Sequence, residues 1–394
     1  MIRMRVGDFC ETGSGGTPSR DREGEFYGGH IPWVKSGELR ENTIRQTEEH
    51  LTEEALKQSS AKLVPAGSLL IAMYGATVGR VAILGIQAAT NQAVCFIKPN
   101  PDEVDNRYLF HALQAQLRNF VSRAVGGAQP NISQQIIRDT SIYLPELAKQ
   151  RSIAAILDKA DVLRAKRRQS LAKLESAGKA TLAELIRPSE IDLEHVSLGE
   201  LVSEFRYGTS EKSSAGGWPA LRIPNVLRGR LDLSELKSVL VTPKEFERLR
   251  LVENDLLFVR TNGNPDNVGR CTLYDSKLVE FSGYDSDQFI YASYLIRARL
   301  IQGSCDPAFL RDYLASPLGR KQILSAAKTS AGQFNINIDG LKSIRIPKPP
   351  IGAQERYGRL MDSLEGRRSV IEKSSRSIEM LFASLQHRAF RGEL

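Results

Sequence analysis

Two segments of this 394-residue chain repeat one another, and the repeat limits the folds that are open to it. The loop GGAQPNIS returns much later as AGQFNIN, with matched residues 204 positions apart (335 − 131 = 204). The same offset continues through the sequence that follows each loop, so the repeated segment contains no insertion. The matched pairs are Asn131 and Asn335, Ile132 and Ile336, Gln150 and Gln354, and Arg187 and Arg391.

A looser match lies upstream of the two loops. Residues 63–84, LVPAGSLLIAMYGATVGRVAIL, resemble residues 251–274, LVENDLLFVRTNGNPDNVGRCTLY. Here Gly79 aligns with Gly269 at an offset of 190 (269 − 79 = 190), so the copies differ by insertions. A repeat of this length is too long for a solenoid unit. The sequence therefore predicts two whole domains, each followed by the same tail.

Each tail has the apolar spacing of a long helix. Apolar residues recur at steps of three and four and make a narrow stripe on one helix face, with charged residues between them. Neither helix can bury such a stripe alone, so we predict that the two pair as a coiled coil. Ile156, Leu163 and Leu360 belong to the same stripes. The predicted seam residues are Ile153, Leu157, Leu174, Leu364, Ile371 and Ile378.

The rest of each half contains short apolar runs between Gly, Pro and Asn residues, a pattern that is typical of strands. Single helices are predicted over 106–124 and 307–327. The fold class is therefore α+β, with one mixed domain used twice. The predicted boundaries are 1–147 for the first domain, 148–188 for the central helix, 189–348 for the second domain and 349–394 for the C-terminal helix.

Composition narrows the class of protein further. No apolar run approaches the ~18 residues that a membrane helix needs, and the first residues lack the apolar core of a signal peptide. We therefore expect a soluble, cytoplasmic protein without a membrane partner. The net charge of +8 favours an anionic partner such as nucleic acid. The four cysteines and five histidines show no metal-ligand spacing, so we expect buried, reduced thiols and no metal site.

Motifs of catalysis are missing from the sequence. It contains no phosphate-binding loop, no G-x-S-x-G, no H-E-x-x-H and no kinase signature. The segment NGNPDN (262–267) resembles the Asn-Pro-Pro-aromatic motif of amino-methyltransferases, but Asp266 and Asn267 replace its second proline and its aromatic residue. We interpret NGNPDN as a turn. Two diverged copies of one domain favour recognition over catalysis.

Polar residues in loops are the candidate readers of DNA. Arg, Lys, Asn and Gln side chains can form paired hydrogen bonds with base edges in the major groove. The alternative for each residue is a solvated surface position, since loops are normally rich in such residues. The candidates are Lys35, Ser36, Thr90, Asn91, Gln92, Arg222, Asn225, Arg260, Thr261 and Asn262.

Taken in order, these motifs resemble the specificity subunit of type I restriction–modification systems over essentially the whole chain. In the first half the matching segments are GSGGTPS, IPWVKSGEL, YGATVGRVAIL, TNQAV, GGAQPNIS and LPELAKQRSIAAILDKAD. In the second half they are YGTS, LRIPNVL, SAGQFNIN and IPKPPIGAQERYGRLMD. Each segment is modest alone, but their order, present twice, is specific.

The resemblance implies a non-catalytic subunit with two target-recognition domains and two helices that pair antiparallel about a pseudo-two-fold axis. Each domain would read one half of a bipartite, asymmetric site in double-stranded DNA, and the helices would set the gap. The implied partners are two methyltransferase subunits and restriction subunits with translocase and nuclease activity. No cofactor is implied for this chain, since S-adenosylmethionine, ATP and Mg²⁺ would belong to the partners.

The resemblance also implies that the doubled loop is a pair of docking places for the methyltransferase subunits. The implied residues are Gln129, Asn131, Gln333 and Asn335. The structural alternative is a turn that shapes the junction between domain and helix. Two other functions stay open at this point, a free-standing enzyme that acts on DNA and a coiled-coil scaffold without a role in nucleic-acid binding.

Overall fold

The computed structural model of the chain describes residues 2–40, 42–126, 130–187, 193–330 and 332–394. These residues belong to two compact units. Unit 1 comprises Met1–Gln169 and Glu372–Leu394, and unit 2 comprises Ser170–Ile371. Unit 1 is therefore built from both ends of the chain, whereas unit 2 is one continuous stretch.

The elements of unit 1 are short apart from the long helix that leaves it. Its strands are β1 (Arg3–Arg5), β2 (Cys10–Ser14), β3 (Tyr27–Val34), β4 (Thr43–Ile44), β5 (Glu49–Leu51), β6 (Leu63–Val64), β7 (Leu69–Ala72), β8 (Val81–Leu84), β9 (Ala88–Thr90), β10 (Val94–Pro99) and β11 (Ser141–Tyr143). Its short helices are α1 (Val6–Phe9), α2 (Glu23–Phe26), α3 (Glu53–Gln58), α4 (Asn106–Ala115), α5 (Leu117–Ser122) and α6 (Gln134–Arg138). Three-residue 3-10 turns lie at Arg20–Arg22, Ser36–Glu38 and Gly75–Thr77, and α7 (Leu147–Leu185) follows β11.

Two sheets organise unit 1. The larger has the order β2-β10-β7-β8-β4 and the smaller the order β5-β3-β9-β6, while β1 pairs with β11. In β7, Leu69 and Ile71 pack into one core and Leu70 and Ala72 pack into another, because alternate residues of a strand point to opposite faces. Both faces of the strand are thus covered, which explains its unbroken apolar sequence.

Unit 2 has a similar set of elements. Its strands are β12 (His195–Ser197), β13 (Val202–Tyr207), β14 (Ser213–Ser214), β15 (Trp218–Leu221), β16 (Lys237–Val239), β17 (Leu256–Val259), β18 (Thr261–Asn262), β19 (Cys271–Leu273), β20 (Ile290–Tyr291), β21 (Leu295–Leu300), β22 (Lys328–Ser330), β23 (Gln333–Asn335) and β24 (Arg345–Pro347). Its short helices are α8 (Leu198–Leu201), α9 (Ile223–Val226), α10 (Pro243–Leu249), α11 (Ser276–Phe281), α12 (Pro307–Ala315), α13 (Pro317–Ala326) and α14 (Ile338–Lys342). The 3-10 turns are Pro265–Asn267 and Ser286–Gln288, and α15 (Ile351–Phe390) follows β24.

The sheets of unit 2 repeat those of unit 1. The order β13-β21-β17-β19 corresponds to β2-β10-β7-β8, and the pair β12-β24 corresponds to β1-β11. The other sheets have the orders β14-β16-β15-β20 and β18-β23-β22. In β17, Leu256 and Phe258 face one core while Leu257 and Val259 face another. The predicted α+β domain, used twice, is confirmed.

The two intermediate helices predicted over 106–124 and 307–327 are each split in two. In unit 2 the break falls at Ser316, whose backbone is extended and whose hydroxyl accepts a hydrogen bond from the Gly319 N–H at the start of α13. Pro317 follows, and a proline disfavours helical backbone in the residue before it. In unit 1 the break falls at Gln116. The prediction of one helix in each segment was wrong, and in unit 2 the cause is the Ser316 cap followed by Pro317.

The long helices α7 and α15 run antiparallel in unit 1. Leu157 of α7 and Phe382 of α15 share one core, as do Ile153 and Ala389. The residue numbers therefore rise along α7 in the direction in which they fall along α15. Arg164 also pairs with Glu379, at 2.8 Å between Nη2 and Oε2, and its guanidinium lies over the Phe382 ring.

The parts of the same helices that belong to unit 2 have the same direction of pairing. Leu182 and Tyr357 share a core, and Gly178 lies against the Met361 side chain. A Cβ at Gly178 would lie 3.3 Å from the Met361 sulfur, so this position favours the smallest residue. The predicted antiparallel pairing is therefore found within each unit.

The predicted seam is not uniform. Ile153 and Leu157 are fully buried, whereas Leu174, Leu364, Ile371 and Ile378 are half-buried. Three other stripe residues are exposed and do not belong to the seam, contrary to the periodicity: Ile156, Leu163 and Leu360. The apolar stripe is thus wider than the surface that the partner helix covers.

A buried glutamine at the start of each long helix ties it to its domain. The Gln150 Oε1 accepts a hydrogen bond from the Asp105 N–H at 2.8 Å, and its Nε2 donates to the carbonyls of Glu103 and Pro145 at 2.9 and 2.8 Å. Gln354 makes the matching contacts in unit 2, with the Asp306 N–H at 3.1 Å and the Pro349 carbonyl at 2.7 Å. The pair Gln150 and Gln354, matched by the 204-residue offset, is thus a repeated structural clamp.

A second polar cluster links α4 to α7 in unit 1. The fully buried His111 lies with Nε2 2.6 Å from the Asp158 carboxylate, which also accepts a hydrogen bond from Arg107 Nε at 3.0 Å. Burial lowers the pKa of His111. Burial alone would raise the pKa of Asp158, but its hydrogen bonds with Arg107 and His111 hold that pKa below the ordinary value. The cluster is therefore a neutral histidine beside an ionised carboxylate.

These shifts predict that unit 1 loses stability in acid. A histidine with a lowered pKa stays neutral in the folded state while the unfolded chain takes up a proton, so stability falls as pH drops below about 6.5. Asp158 adds a further loss as pH falls below about 4. We expect His111→Gln to flatten the dependence of the melting temperature on pH between 7 and 5. The exposed His30 provides the control, and an equal change in His30→Gln would contradict the assignment.

The cysteines and the helices complete the comparison with the sequence. Cys10, Cys95, Cys271 and Cys305 are buried free thiols, as predicted, and burial raises their pKa values to about 12. Within the described ranges, no helix combines the length and the apolar character that crossing a bilayer requires.

Candidate nucleic-acid interface

In unit 1, four segments that are distant in sequence meet at the end of the central strand β7. The Met73 N–H donates to the Ala93 carbonyl at 2.8 Å, and the Met73 carbonyl accepts from the Ile132 N–H at 2.9 Å. The Asn91 N–H donates to the Val34 carbonyl at 2.9 Å. We call this meeting of the residues around 34, 73, 92 and 131 the unit 1 junction.

Unit 2 contains the same arrangement at the end of β17. The Arg260 N–H donates to the Tyr294 carbonyl at 2.9 Å, and the Arg260 carbonyl accepts from the Ile336 N–H at 2.9 Å. The Ala292 N–H donates to the Leu221 carbonyl at 2.9 Å. We call this the unit 2 junction, and it has the same three backbone hydrogen bonds as the unit 1 junction. These bonds show which residues of the two copies occupy the same place in a region where the sequence offset is not constant.

A cationic residue opens the short helical turn at each junction. The Lys35 N–H donates to the Glu38 Oε2 at 2.7 Å, and the Arg222 N–H donates to the Asn225 Oδ1 at 2.8 Å. In both units the side chain of the residue three positions later, Glu38 or Asn225, accepts the hydrogen bond from the backbone N–H of the cationic residue. Lys35 and Arg222 are therefore matched positions that keep a positive charge in both copies.

One glycine in each unit allows the chain that follows β2 or β13 to pass the junction closely. A Cβ at Gly15 would lie 1.9 Å from the Thr90 carbonyl oxygen, and one at Gly208 would lie 2.3 Å from that of Tyr291. No side chain fits at either place. The close approach requires glycine and explains why GSGG and YGTS carry one there.

Two of the candidate DNA readers are buried in the structure. The Asn225 amide nitrogen donates to the carbonyls of Asp232 and Glu235 at 2.7 and 3.1 Å, and its oxygen caps Arg222. Thr90 is fully buried. Both side chains are buried in this conformation, and no observation supports a DNA contact for either of them. The Asn225 side chain satisfies buried backbone groups of its own unit, a use of polar side chains that no local pattern distinguishes.

The other candidates of unit 1 lie at the surface of the junction. Gln92 is exposed, and Ser36 and Asn91 are half-buried. The Lys35 ammonium lies 2.8 Å from the Glu49 carboxylate, a hydrogen bond that raises the pKa of Lys35. The structure brings these residues together, since the turn at 35 and the loop at 90–92 join through one backbone hydrogen bond.

In unit 2, Arg260, Thr261 and Asn262 lie beside the second copy of the doubled loop. Thr261 pairs with Asn335 and Asn262 pairs with Phe334 in the small sheet. The Asn262 Oδ1 accepts hydrogen bonds from the Asn264 N–H at 3.0 Å and from the Asn267 side chain at 3.2 Å. The segment NGNPDN is therefore a capped turn, as predicted.

The doubled loop has a structural role in both units. Ile132 and Ile336 are buried in the main cores, and the backbone beside each one pairs with the segment that follows the central strand. In unit 1, Asn131 bridges to Tyr74. These contacts explain why the Asn-Ile pair recurs. They support the interpretation of the loop as a turn that shapes the junction between domain and helix, and they do not test whether methyltransferase subunits dock there.

The predicted partner-binding residues have different surroundings. Asn131 and Asn335 are half-buried and Gln333 is exposed. The Asn335 amide donates to the Gln333 carbonyl at 3.4 Å. Gln129 lies outside the described residues, so its environment is not defined. Docking at this loop remains a prediction.

The sequence did not single out the aromatic residues at the unit 2 junction. The Tyr207 ring lies under the Arg260 guanidinium, 4.7 Å from its centre, and Tyr294 is exposed beside it. Only the motif YGTS pointed to this place. Among the described residues there is no cluster of three or more His, Cys, Asp or Glu side chains that could hold a metal ion.

The profile of the type I restriction modification DNA specificity domain matches residues 3–176 of the chain. The chain is 27% identical over 395 residues to the EcoKI specificity subunit of Escherichia coli (strain K12), covering 93% of this chain and 82% of that protein. It is 25% identical over 401 residues to the StySPI specificity subunit of Salmonella potsdam, with the same coverage of both chains.

A solved structure shares the fold. The S subunit of the type I restriction–modification system from M. genitalium superposes with a TM-score of 0.58 at 13% identity, over 99% of this chain and 96% of that one. A duplicated α+β domain with a long helix after each copy is thus a fold that this chain shares with a solved S subunit. Residues 3–176 thus match the type I restriction modification DNA specificity domain, and 93% of the chain is similar to type I restriction enzyme specificity subunits.

Proposed function

We propose that this chain is the DNA-specificity subunit of a type I restriction–modification complex and that each junction reads one half of a bipartite target. The observation that carries the proposal is the repeated junction. Its backbone is kept in both units, while side chains at matched positions differ, such as Met73 and Arg260. A constant frame that holds different side chains is suited to reading two unlike half-sites with one mode of binding.

The electrostatics of the chain support a nucleic-acid ligand. The net charge is +8, and a cation is kept at the matched positions Lys35 and Arg222. Contacts with phosphates position a protein on DNA, whereas contacts with base edges specify the sequence. Lys35 and Arg222 are therefore suited to phosphate contacts that both half-sites have in common. The residues that differ between the two junctions are suited to contacts with base edges.

The helices fit the second part of the role, which is to set the gap and to hold partner enzymes. The helix α7 has 39 residues and is ~58 Å long at ~1.5 Å per residue. A paired helix of this length is stiff enough to fix a spacing between half-sites. The partners that we propose are two methyltransferase subunits, which would bring S-adenosylmethionine, and restriction subunits, which would bring ATP and Mg²⁺. The chain itself would have no catalytic role.

The test uses the purified chain, tritiated S-adenosylmethionine and DNA, with and without the methyltransferase partner. We expect tritium label in adenine only when the partner is present. We also expect DNA binding to weaken as the salt concentration rises, because the lysine and arginine side chains that bind phosphates displace counterions. Mapping methylated adenines in cells that carry both proteins should give one motif with two unlike parts and an unread gap.

Three results would contradict the proposal. Label transfer by the chain alone would indicate an enzyme. Binding without sequence preference, with or without the partner, would indicate a scaffold. A motif in a single uninterrupted block would show that the two domains do not read separate half-sites.

A further inference from the structure

The two junctions differ in charge at one matched pair of positions. In unit 1 the residue after the central strand is Met73, which is 4% exposed and packs into the core. In unit 2 the same place in the backbone holds Arg260, which is half-buried. The neighbouring strand carries Ser14 in unit 1 and Tyr207 in unit 2, each followed by the close-approach glycine. Unit 2 therefore has a cation on an aromatic ring where unit 1 has an uncharged pair without an aromatic ring.

The surroundings of Arg260 orient its guanidinium and leave most of its donors unused. The carbon of the guanidinium lies 4.7 Å from the centre of the Tyr207 ring, a geometry that stabilises a cation. One long hydrogen bond of 3.5 Å joins Nη1 to the Ser293 carbonyl. Within the described ranges Arg260 has no other side-chain hydrogen bond and no ion pair. A guanidinium held in this way is ready to donate to an acceptor outside the chain.

The tyrosine itself is fixed. Tyr207 is the last residue of β13, and Gly208 then brings the chain against the backbone at Tyr291. The Tyr207 hydroxyl accepts a hydrogen bond from the Ile338 N–H at 3.4 Å. Tyr207 is 37% exposed, so the stack lies at the surface of the junction. The platform under Arg260 thus belongs to the rigid frame of unit 2.

The contrast between the two units indicates the kind of acceptor. A phosphate contact would serve both half-sites equally, and the cations kept in both units, Lys35 and Arg222, fit that role. Arg260 occurs in one unit only, at a place where the backbone is otherwise the same. A planar guanidinium forms paired hydrogen bonds with O6 and N7 of guanine, the commonest specific contact in the major groove.

We propose that Arg260, oriented by Tyr207, reads a guanine in the major groove of the half-site bound by unit 2. Unit 1 has no counterpart, so the matched position of its half-site is not read in this way. The inference rests on the proposed function and names one base within it.

The test uses the chain in complex with its methyltransferase and a library of duplexes in which each half-site is randomised in turn. The wild-type complex should prefer guanine at one position of one half-site by about 5- to 150-fold, the range of ~1–3 kcal/mol for a good paired contact. Arg260→Gln should abolish that preference and leave the other positions of both half-sites unchanged. Tyr207→Leu should weaken the preference, and Tyr207→Phe should keep it because the ring remains.

Arg222→Gln is the matched control, since it removes a cation from the same junction. It should weaken binding to all duplexes alike and keep the guanine preference. The inference is overturned if Arg260→Gln leaves the motif unchanged, if it weakens all duplexes equally, or if it only releases the methyltransferase. The last outcome would assign Arg260 to the protein partner. A wild-type complex without any sequence preference would contradict the proposed function itself, whatever the variants do.

Discussion

Leu157→Asp is expected to prevent the folding of unit 1. Leu157 is 0% exposed and lies where α7 meets both the domain core and α15. The substitution would place a carboxylate among apolar side chains without a partner, which costs several kcal/mol, a large part of the stability of a domain. Hydrogen exchange should show loss of protection throughout unit 1, together with insoluble protein or lost assembly with the methyltransferase.

The same helix offers graded controls for this change. Leu163 belongs to the same apolar stripe but is 48% exposed, so Leu163→Asp should change stability by no more than about 0.5 kcal/mol. Leu174 is half-buried and its aspartate variant should lie between the two. Equal losses at Leu157 and Leu163 would show that the periodicity, and not the observed burial, describes the seam.

Gln150→Leu and Gln354→Leu are expected to destabilise unit 1 and unit 2 respectively. Each substitution leaves a partly buried N–H and at least one carbonyl without a partner, and each such group costs up to about 1–3 kcal/mol. The total is several kcal/mol for a change that keeps the side chain nearly the same size. Measured by hydrogen exchange, Gln150→Leu should lower protection in unit 1 and Gln354→Leu should lower it in unit 2.

The exposed Gln135 in unit 1 provides the control, because its amide only pairs with the Asp139 side chain. Gln135→Leu should leave exchange in both units unchanged. If the two buried variants behaved like this control, the clamps would not hold the helices to their domains. If each variant affected both units alike, the division into two separately stabilised units would be wrong.

The sequence allowed the prediction of those features that depend on local patterns. Apolar spacing placed the long helices, and the observed bounds Leu147–Leu185 and Ile351–Phe390 agree with it. Unbroken apolar runs indicated strands covered on both faces, as β7 and β17 are. The doubled loop, found by its offset, lies at the same place in both units.

The sequence could not distinguish a polar residue at the surface of a junction from one that satisfies the backbone inside the unit. Asn225 and Arg222 are both polar residues of the loop LRIPNVL, yet the amide of Asn225 is used by two carbonyls inside the unit. Ile156 and Leu163 belong to the same stripe as Leu157, yet the surface available on the partner helix leaves them exposed. These outcomes depend on which groups come together in space, and local spacing does not contain that information.

The sequence by itself determined the duplication, the two long helices and the α+β character of each copy, because each follows from periodicity or from a constant offset. Only the tertiary structure decided that Met73 and Arg260 occupy the same place. Both residues lie in the loosely matched segments 63–84 and 251–274, but the offset changes within these segments, from 187 at Met73 (260 − 73 = 187) to 190 at Gly79, so a constant offset does not match them. Backbone hydrogen bonds from segments far apart in the chain define the match, and those bonds form only when the sheets assemble.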